Sequence, residues 1–345
     1  MENDMLTVSQ DSLVGLQAKV DFLSSPASYP ESSASVEARE THMSWVFLTD
    51  RHAYKLKKPV RTSFLDFSTL ELRKKYCEAE VWLNRRLAPG IYLGVVPLGL
   101  DRSGSLHIGE GQAVDFLVRM IRLPATATLD HAIRANAVEE RNIHDLASRL
   151  AGFYRDAMVI GCGADAYRRR FVIDIEADTQ ALLQPRYGLP ATLINETSAA
   201  LRNFIALHGD RLEQRARERR IVDGHGDLRP EHIYFLPDRI AVIDRLEFNA
   251  AFREVDPLNE LAYLAMECDR CEATWIGPWL LETYRAESGD SFGAELVDFY
   301  KCSRALLRAK LAIWHLDGVP PREPEKWPRQ AKSYLDLAHA YATGL

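Results

Sequence analysis

The stretch GHGDLRPEHIYF, Gly224–Phe235, decides how this chain is read. His225, Asp227, Arg229, Glu231 and His232 crowd into eight consecutive residues, Pro230 stands among them, and apolar residues flank both sides. The run is too polar for a core strand, and Gly224, Gly226 and Pro230 do not continue a helix. It reads as a loop held between two buried segments. Just after it, IYFLPDRIAVID reads as two short strands about a Pro-Asp turn, with Asp244 at a strand end. Asp227 and Asp244 thus stand at the mouths of neighbouring short strands. Phosphoryl transfer from ATP asks for such a pair: one carboxylate orients an acceptor hydroxyl and takes its proton, and a second holds a metal ion against the phosphates. It also asks for a cation that fixes the phosphates and a carboxylate that holds that cation.

Working outward from the loop, HMSWVFLTDRHAYKLKKPV (42–60) predicts two strands around a turn at Asp50–His52. STLELRKKYCEAEVWLNRRLAPG (68–90) predicts a long helix. Ser68 or Thr69 caps its start, Leu72, Tyr76, Val81, Leu83 and Leu87 supply apolar positions, and Pro-Gly stops it. IYLGVVPLGL (91–100) and AVDFLVRMIRL (113–123) are strand-like, separated by the turn-rich DRSGSLHIGEG. Ahead of all this, SQDSLVGLQAKVDFLSS (9–25) has helical spacing at Leu13, Leu16, Val20 and Leu23, and PASYPESSAS (26–35) reads as a linker. After Pro124 the texture is helical, with helices expected over 138–158, 175–184, 196–219, 256–270, 277–286, 293–316 and 328–342.

The bulk numbers fit this picture. A length of 345 residues suggests two domains at roughly 150 residues each. With 47% hydrophobic and 27% charged residues, a core of useful size forms without disulfide or metal staples. The five cysteines (77, 162, 268, 271 and 302) are odd in number and irregular in spacing, as in a reducing compartment. Cys268 and Cys271 read as helix neighbours at i, i+3 rather than a metal pair. A net charge of −6 argues against a nucleic-acid partner. The acidic start and the absence of any apolar run near ~18 residues argue against a membrane partner and for a cytoplasmic protein. No Walker-type phosphate loop and no internal repeat occurs.

HGDLRPEH resembles the catalytic loop of the protein-kinase-like superfamily, most closely the aminoglycoside phosphotransferase and choline kinase branch, and VID (242–244) resembles that branch's metal-binding segment. Ala53-x-Lys55 is similar to the A-x-K of the third strand in the smaller lobe, and Glu80 stands on the following helix where the lysine's partner belongs. DPLNELA (256–262) resembles the family's GDPxxDLA helix start, with Asp256 as N-cap and Pro257 at the first helical position. The resemblance extends to a loosely named bacterial group of aminoglycoside phosphotransferase family enzymes, some of which carry an additional C-terminal P-loop kinase domain.

The resemblance implies an α+β, two-lobed protein-kinase-like fold. A lobe over 1–122 would hold a small antiparallel sheet and one long helix, and a mostly helical lobe would span 123–345. It implies ATP with Mg²⁺ or Mn²⁺ as cofactors and a small-molecule hydroxyl as acceptor. His225 would prop the loop, Asp227 would be the catalytic base, and Arg229 would neutralise the transferring phosphoryl group. Asp244 would hold metal. Lys55, with Glu80, would fix the phosphates, and Ala53 and Met120 would line the adenine side, near a hinge at Arg119–Arg122. Lys57 is an alternative to Lys55, and Glu78 to Glu80. His232 replaces the family's asparagine as second metal ligand, and an imidazole nitrogen suits Mn²⁺ better than Mg²⁺. No glycine-rich loop precedes the strands, so the hydroxyls of Thr41 and Ser44 would have to serve in its place. Two other functions stay open at this stage: a nucleotide-binding scaffold without catalysis, and transfer of AMP to a protein.

Two segments have double readings. RLEQRARERR (211–220) reads as a solvated, salt-bridged helix face. YKCSRALLRAKLAIWHL (300–316) carries an apolar stripe at Leu306, Leu307, Leu311 and Trp314 and a basic one at Arg304, Arg308 and Lys310. It is either a core helix with a wet face, or a helix that turns Arg304 or Lys310 toward an anionic acceptor.

Overall fold

The computed structural model describes residues 14–318 and 323–345. The chain forms two compact units: residues up to Ala127 together with His232–Phe252, and Thr128–Glu231 together with the chain from Arg253 onward.

The first unit opens with helix α1 (Leu16–Leu23), of which Val20 and Leu23 enter the core. The expected helix began at Ser9, but residues 9–13 lie outside the described part of the chain. Strands β1 (Glu37–Glu40), β2 (Ser44–Leu48) and β3 (His52–Lys57) follow, then helix α2 (Leu70–Asn84), then β4 (Tyr92–Leu100), β5 (Leu106–Ile108) and β6 (Gln112–Ile121). The six strands pair antiparallel in the order β1-β2-β3-β6-β4-β5. Thr69 caps α2, its hydroxyl accepting from the Leu72 N–H at 3.2 Å.

Two sequence expectations fail here. The stretch 26–35 is no free linker: Tyr29 is buried against Tyr54, and Glu31 accepts from the Tyr54 hydroxyl at 2.9 Å and lies 2.7 Å from the His52 ring. A Pro- and Ser-rich composition concealed two residues with buried partners far along the chain. Thr41 and Ser44 close the β1–β2 turn on each other instead of offering hydroxyls. The Thr41 hydroxyl accepts from the Ser44 N–H at 3.0 Å, and Ser44 is buried.

The second unit is helical: α3 (Leu129–Arg134), α4 (Glu140–Arg155), α5 (Ala164–Leu182) and α6 (Ala191–Arg217), the last kinked at His208. The two-residue strand β7 (Val222–Asp223) leads into the GHGDLRPEH loop. A hairpin, β8 (Ile233–Leu236) and β9 (Arg239–Val242), then packs into the first unit, where Ala241 joins Ala53, Cys77, Val118 and Met120 in one apolar cluster. The chain returns to the second unit through β10 (Glu254–Val255), which pairs with β7. Helices α7 (Pro257–Arg270), α8 (Ile276–Ser288), α9 (Ala294–Ile313) and α10 (Lys326–Ala342) complete it. Helices α5, α6, α7, α9 and α10 share a continuous core that includes Phe204, Leu258, Phe299, Leu306 and Tyr334.

Arg215 corrects the solvated-face reading of 211–220. It is buried, and its guanidinium donates to both carboxylate oxygens of Asp256 (2.7 and 2.8 Å) and of Asp290 (2.6 Å each). Helical spacing distinguishes a polar face from an apolar one, but it does not reveal two aspartates waiting 41 and 75 residues downstream. On α9, Leu306 is buried as expected, whereas Trp314, just past the helix end, is exposed.

Candidate active site

In the first unit the chemistry gathers around one helix face. Lys55 on β3 donates to Glu80 Oε1 at 2.9 Å and to Asp244 Oδ1 at 2.8 Å. Lys57, two residues on and therefore on the same face of the strand, donates to Glu80 Oε2 at 2.6 Å and also to Glu247. Glu80 takes both lysines, one on each oxygen. Glu78 is exposed and lies 3.9 Å from Lys74. Two cations and three carboxylates form a single network, buried except at Asp244. Burial works against charge on Lys55, yet Asp244 and Glu80 hold its ammonium well above the usual lysine range. Burial likewise penalises ionised Glu80, but Lys55 and Lys57 keep its carboxyl below the ordinary value. Glu247 goes the other way: burial pushes its carboxyl up despite Lys57.

The backbone at Asp244 is unusual. Its φ is 64°, in the left-handed region, where aspartate is among the few non-glycine residues found. Its N–H donates to the Tyr92 hydroxyl at 3.1 Å. Asn84, one turn after Glu80 on α2, fixes the next residue, accepting from the Arg245 N–H at 2.8 Å and donating to its carbonyl at 3.2 Å. His232 is nearly buried, with Nε2 3.6 Å from Asp244 Oδ2. Ala53 and Met120 face each other across the β3–β6 ladder and are both buried.

In the second unit the GHGDLRPEH loop hangs on one buried carboxylate. Glu260, in the first turn of α7, accepts from the His225 N–H at 2.8 Å, from the Gly226 N–H, and from the Tyr154 hydroxyl at 3.0 Å. Burial raises its pKa, against the hydrogen bonds that favour its charge. Gly224 is needed there, since a Cβ would meet Val255 Cγ2 at 2.4 Å and Glu260 Oε2 at 2.6 Å. His225 is fully buried, and its Nδ1 accepts from the Asp227 N–H at 3.2 Å. The two oxygens of Asp227 have different partners: Oδ1 accepts from the Tyr263 hydroxyl at 3.0 Å and Oδ2 from Arg229 Nε at 3.1 Å. Asp227 is part-buried, so its carboxylate is oriented and still reachable.

Solved structures of low identity share this architecture. Choline kinase from Cryptosporidium parvum aligns with TM-score 0.54 at 10% identity, over 93% of this chain and 94% of that one. The choline/ethanolamine kinase family protein from Mesorhizobium loti aligns with TM-score 0.51 at 14% identity, over 95% and 99%. A thermostable mutant of aminoglycoside phosphotransferase APH(4)-Ia, in ternary complex with AMP-PNP and hygromycin B, aligns with TM-score 0.51 at 14% identity, over 96% and 100%. The chain has the protein-kinase-like fold that these structures share. No protein-family model matches this chain. In sequence it is 32% identical over 288 residues to uncharacterized proteins of Mycobacterium tuberculosis and Mycobacterium bovis, covering 80% of itself and 54% of them. The chain therefore spans about half the length of the curated relatives it matches.

The kinase-like frame distributes the sequence-derived candidates over both units: Ala53, Lys55, Glu80, Met120, His232 and Asp244 in the first, His225, Asp227 and Arg229 in the second. Lys57, expected as an alternative to Lys55, shares Glu80 with it, whereas the sequence did not point to Asn84, Tyr92 and Glu247 in the first unit or Tyr263 in the second. Glu260 was within reach, since it stands at the acidic position of DPLNELA, yet only the capping residues of that motif were read. A divalent ion of the Mg²⁺ kind is commonly held by one or two carboxylates, with substrate phosphates completing its shell. Asp244 offers an oxygen and His232 a nitrogen, which fits an ion completed by phosphates. Among the described residues no group of three or more His, Cys, Asp or Glu forms a self-sufficient metal site, Cys268 and Cys271 included. No helix among them is long and apolar enough to cross a membrane.

Proposed function

We propose that this chain is an ATP- and divalent-metal-dependent phosphotransferase that phosphorylates a hydroxyl group of a small molecule. The observation that carries this reading is Lys55, held between the carboxylates of Glu80 and Asp244. An ammonium so oriented is a fixed contact for nucleotide phosphates. The AMP-PNP complex of the kinase-like relative supports a nucleotide as ligand.

In this reading Asp227 receives the acceptor's proton at a carboxylate oxygen, while Tyr263 and Arg229 hold that carboxylate in place. The Arg229 guanidinium is itself a donor for the charge that develops on the transferring group. Glu260 and His225 fix the loop so that Asp227 need not reorganise during reaction. Asp244 and His232 would hold the divalent ion, which when bound neutralises phosphate charge. Lys57 and Glu247 position the segment that carries Asp244.

The test is nucleotide binding followed by transfer. AMP-PNP with Mg²⁺ or Mn²⁺ should raise the melting temperature of the wild type, and Asp244→Asn should abolish most of that rise. Asp227→Asn should retain the rise and lose transfer by about 10²–10⁴-fold. Absence of any shift with either metal removes the reading. His232→Asn, which substitutes an oxygen donor, should move the metal preference toward Mg²⁺, and an unchanged preference takes His232 out of the metal site. Product masses distinguish an added phosphoryl group from an added AMP.

A further inference from the structure

Beside Asp227 lies a seam between α7 and α9 whose charges the proposed reaction does not use. Asn259, Tyr263 and Glu267 stand four residues apart on one face of α7, and Arg304 and Arg308 stand four apart on the facing side of α9. The two ladders interlock. Arg304 Nε donates to Asn259 Oδ1 at 2.7 Å, and its guanidinium lies over the Tyr263 ring, 5.1 Å from the centroid. Arg308 Nε donates to Glu267 Oε1 at 3.1 Å, while Arg270 Nε takes the other oxygen at 2.9 Å. The Tyr334 hydroxyl donates to the same carboxylate at 2.9 Å.

The two arginines are not equivalent. Arg308 shares a buried carboxylate with Arg270. Arg304 makes its direct contacts with a neutral amide and an aromatic face; Glu260 and Asp174 attract it electrostatically, but among the described residues no carboxylate lies within ion-pair distance of it. Lys310, the other candidate on this helix, is committed to an ion pair with Asp178 and lies over the Trp314 ring. A part-buried guanidinium is costly to leave without a counter-charge. Arg304 has been oriented by its neighbours and left without a direct ion pair.

Its position says what an anion paired directly with it would belong to. The hydroxyl of Tyr263 touches Asp227 and the ring of Tyr263 carries Arg304. A molecule whose hydroxyl reaches Asp227 therefore lies one tyrosine's length from the Arg304 guanidinium. Cationic acceptors such as aminoglycosides or choline would be repelled by Arg304, with Arg308 beside it. We infer that the acceptor is a hydroxyl compound carrying a carboxylate or phosphate group, bound by Arg304 on the α7–α9 seam. This rests on the phosphotransferase reading for the identity of the reaction, but the anion site itself is defined by Arg304 and can be tested without nucleotide.

Glycerate and glycerol 3-phosphate serve as anionic hydroxyl probes, glycerol as the neutral one and choline as the cationic one. Each is titrated calorimetrically into the full chain and then offered as acceptor with ATP. At least one anionic probe should bind tenfold or more tightly than glycerol. Arg304→Gln, which keeps a donor for Asn259, should abolish that preference and leave the AMP-PNP response unchanged, and Arg304→Lys should keep part of it. The inference is overturned if glycerol or choline binds as well as the anions, or if Arg304→Gln binds them undiminished. Loss of the nucleotide response in the wild type would instead remove the phosphotransferase reading and leave the titrations to decide the anion site. Inorganic phosphate, titrated alone, tells the two anion classes apart: binding to the wild type that Arg304→Gln loses marks a phosphate site, and no binding beside tight glycerate marks a carboxylate site.

Discussion

Glu80 and Glu260 are both fully buried glutamates on the first long helix that follows a strand of the site, and their surroundings are opposite. Glu80 meets two lysine ammoniums, one on each oxygen, and its pKa is lowered. Glu260 meets two backbone N–H groups and a tyrosine hydroxyl, and its pKa is raised. The first carboxylate is a counter-ion shared by two cations, whose loss leaves Lys55 with Asp244 alone and Lys57 with Glu247 alone. The second is a hook for backbone, and its charge is incidental to the number of donors it satisfies. One site is thus organised by charge and the other by hydrogen-bond geometry.

The strongest way to break this contrast is Glu80→Gln. With Lys55 and Lys57 losing their shared partner, unfolding stability should fall by about 3–5 kcal/mol, measured by denaturant titration. Adding Lys57→Met should recover part of the loss, because a buried cation is removed with its partner. If Glu80→Gln is neutral, the network is not a charge balance. Next comes the hook. Gly224→Ala forces a methyl into Val255 and Glu260 and should cost about 1–3 kcal/mol. Glu260→Gln keeps one good acceptor for the loop and should cost about 1–3 kcal/mol, less than Glu80→Gln. A larger loss for Glu260 than for Glu80 would reverse the comparison.

The smallest effect tests the same logic away from both sites. Asp178 pairs with Lys310, yet burial dominates and its carboxyl is pushed up to about 6. A folded value above the unfolded one means that folding takes up a proton, so this residue's contribution to stability improves as pH falls through about 6 toward the ordinary aspartate value. Asp178→Asn lacks that slope. Its stability relative to wild type should be greater at about pH 8 than at about pH 5, by on the order of 1 kcal/mol. A difference of the opposite sign would mean that the ion pair outweighs burial.

Much of the frame was legible because it is local. Helix α2 announces itself through Thr69 and its apolar positions, and α7 through Asp256 and Pro257. The strands β2 and β3 alternate around a visible turn, and the GHGDLRPEH loop could be nothing else. Partnerships over long separations were not legible. Lys57 finds Glu247 at a separation of 190 residues, and Asn84 finds Arg245 at 161. No period or spacing encodes such a pair. Arg215 was misread for the same reason: composition places an arginine among charges on a helix, and only packing reveals which arginine faces inward. Tyr29 and Glu31 were hidden by the Pro and Ser around them, which signal a loop but do not say what the loop covers.

The return of the 232–252 hairpin to the first unit has a consequence for synthesis. A ribosome delivers residues up to Ala127 long before Ala241 and Glu247 exist. Until then Ala53, Cys77 and Met120 lack part of their apolar cover, and Lys57 lacks one of its two carboxylates. The nascent first unit must wait, incomplete, through more than a hundred further residues. Exposed apolar surface on a waiting chain is where chaperones bind and where aggregation starts. Expression yield is therefore expected to be more sensitive to substitutions at Ala241 or Glu247 than the stability of the finished protein is.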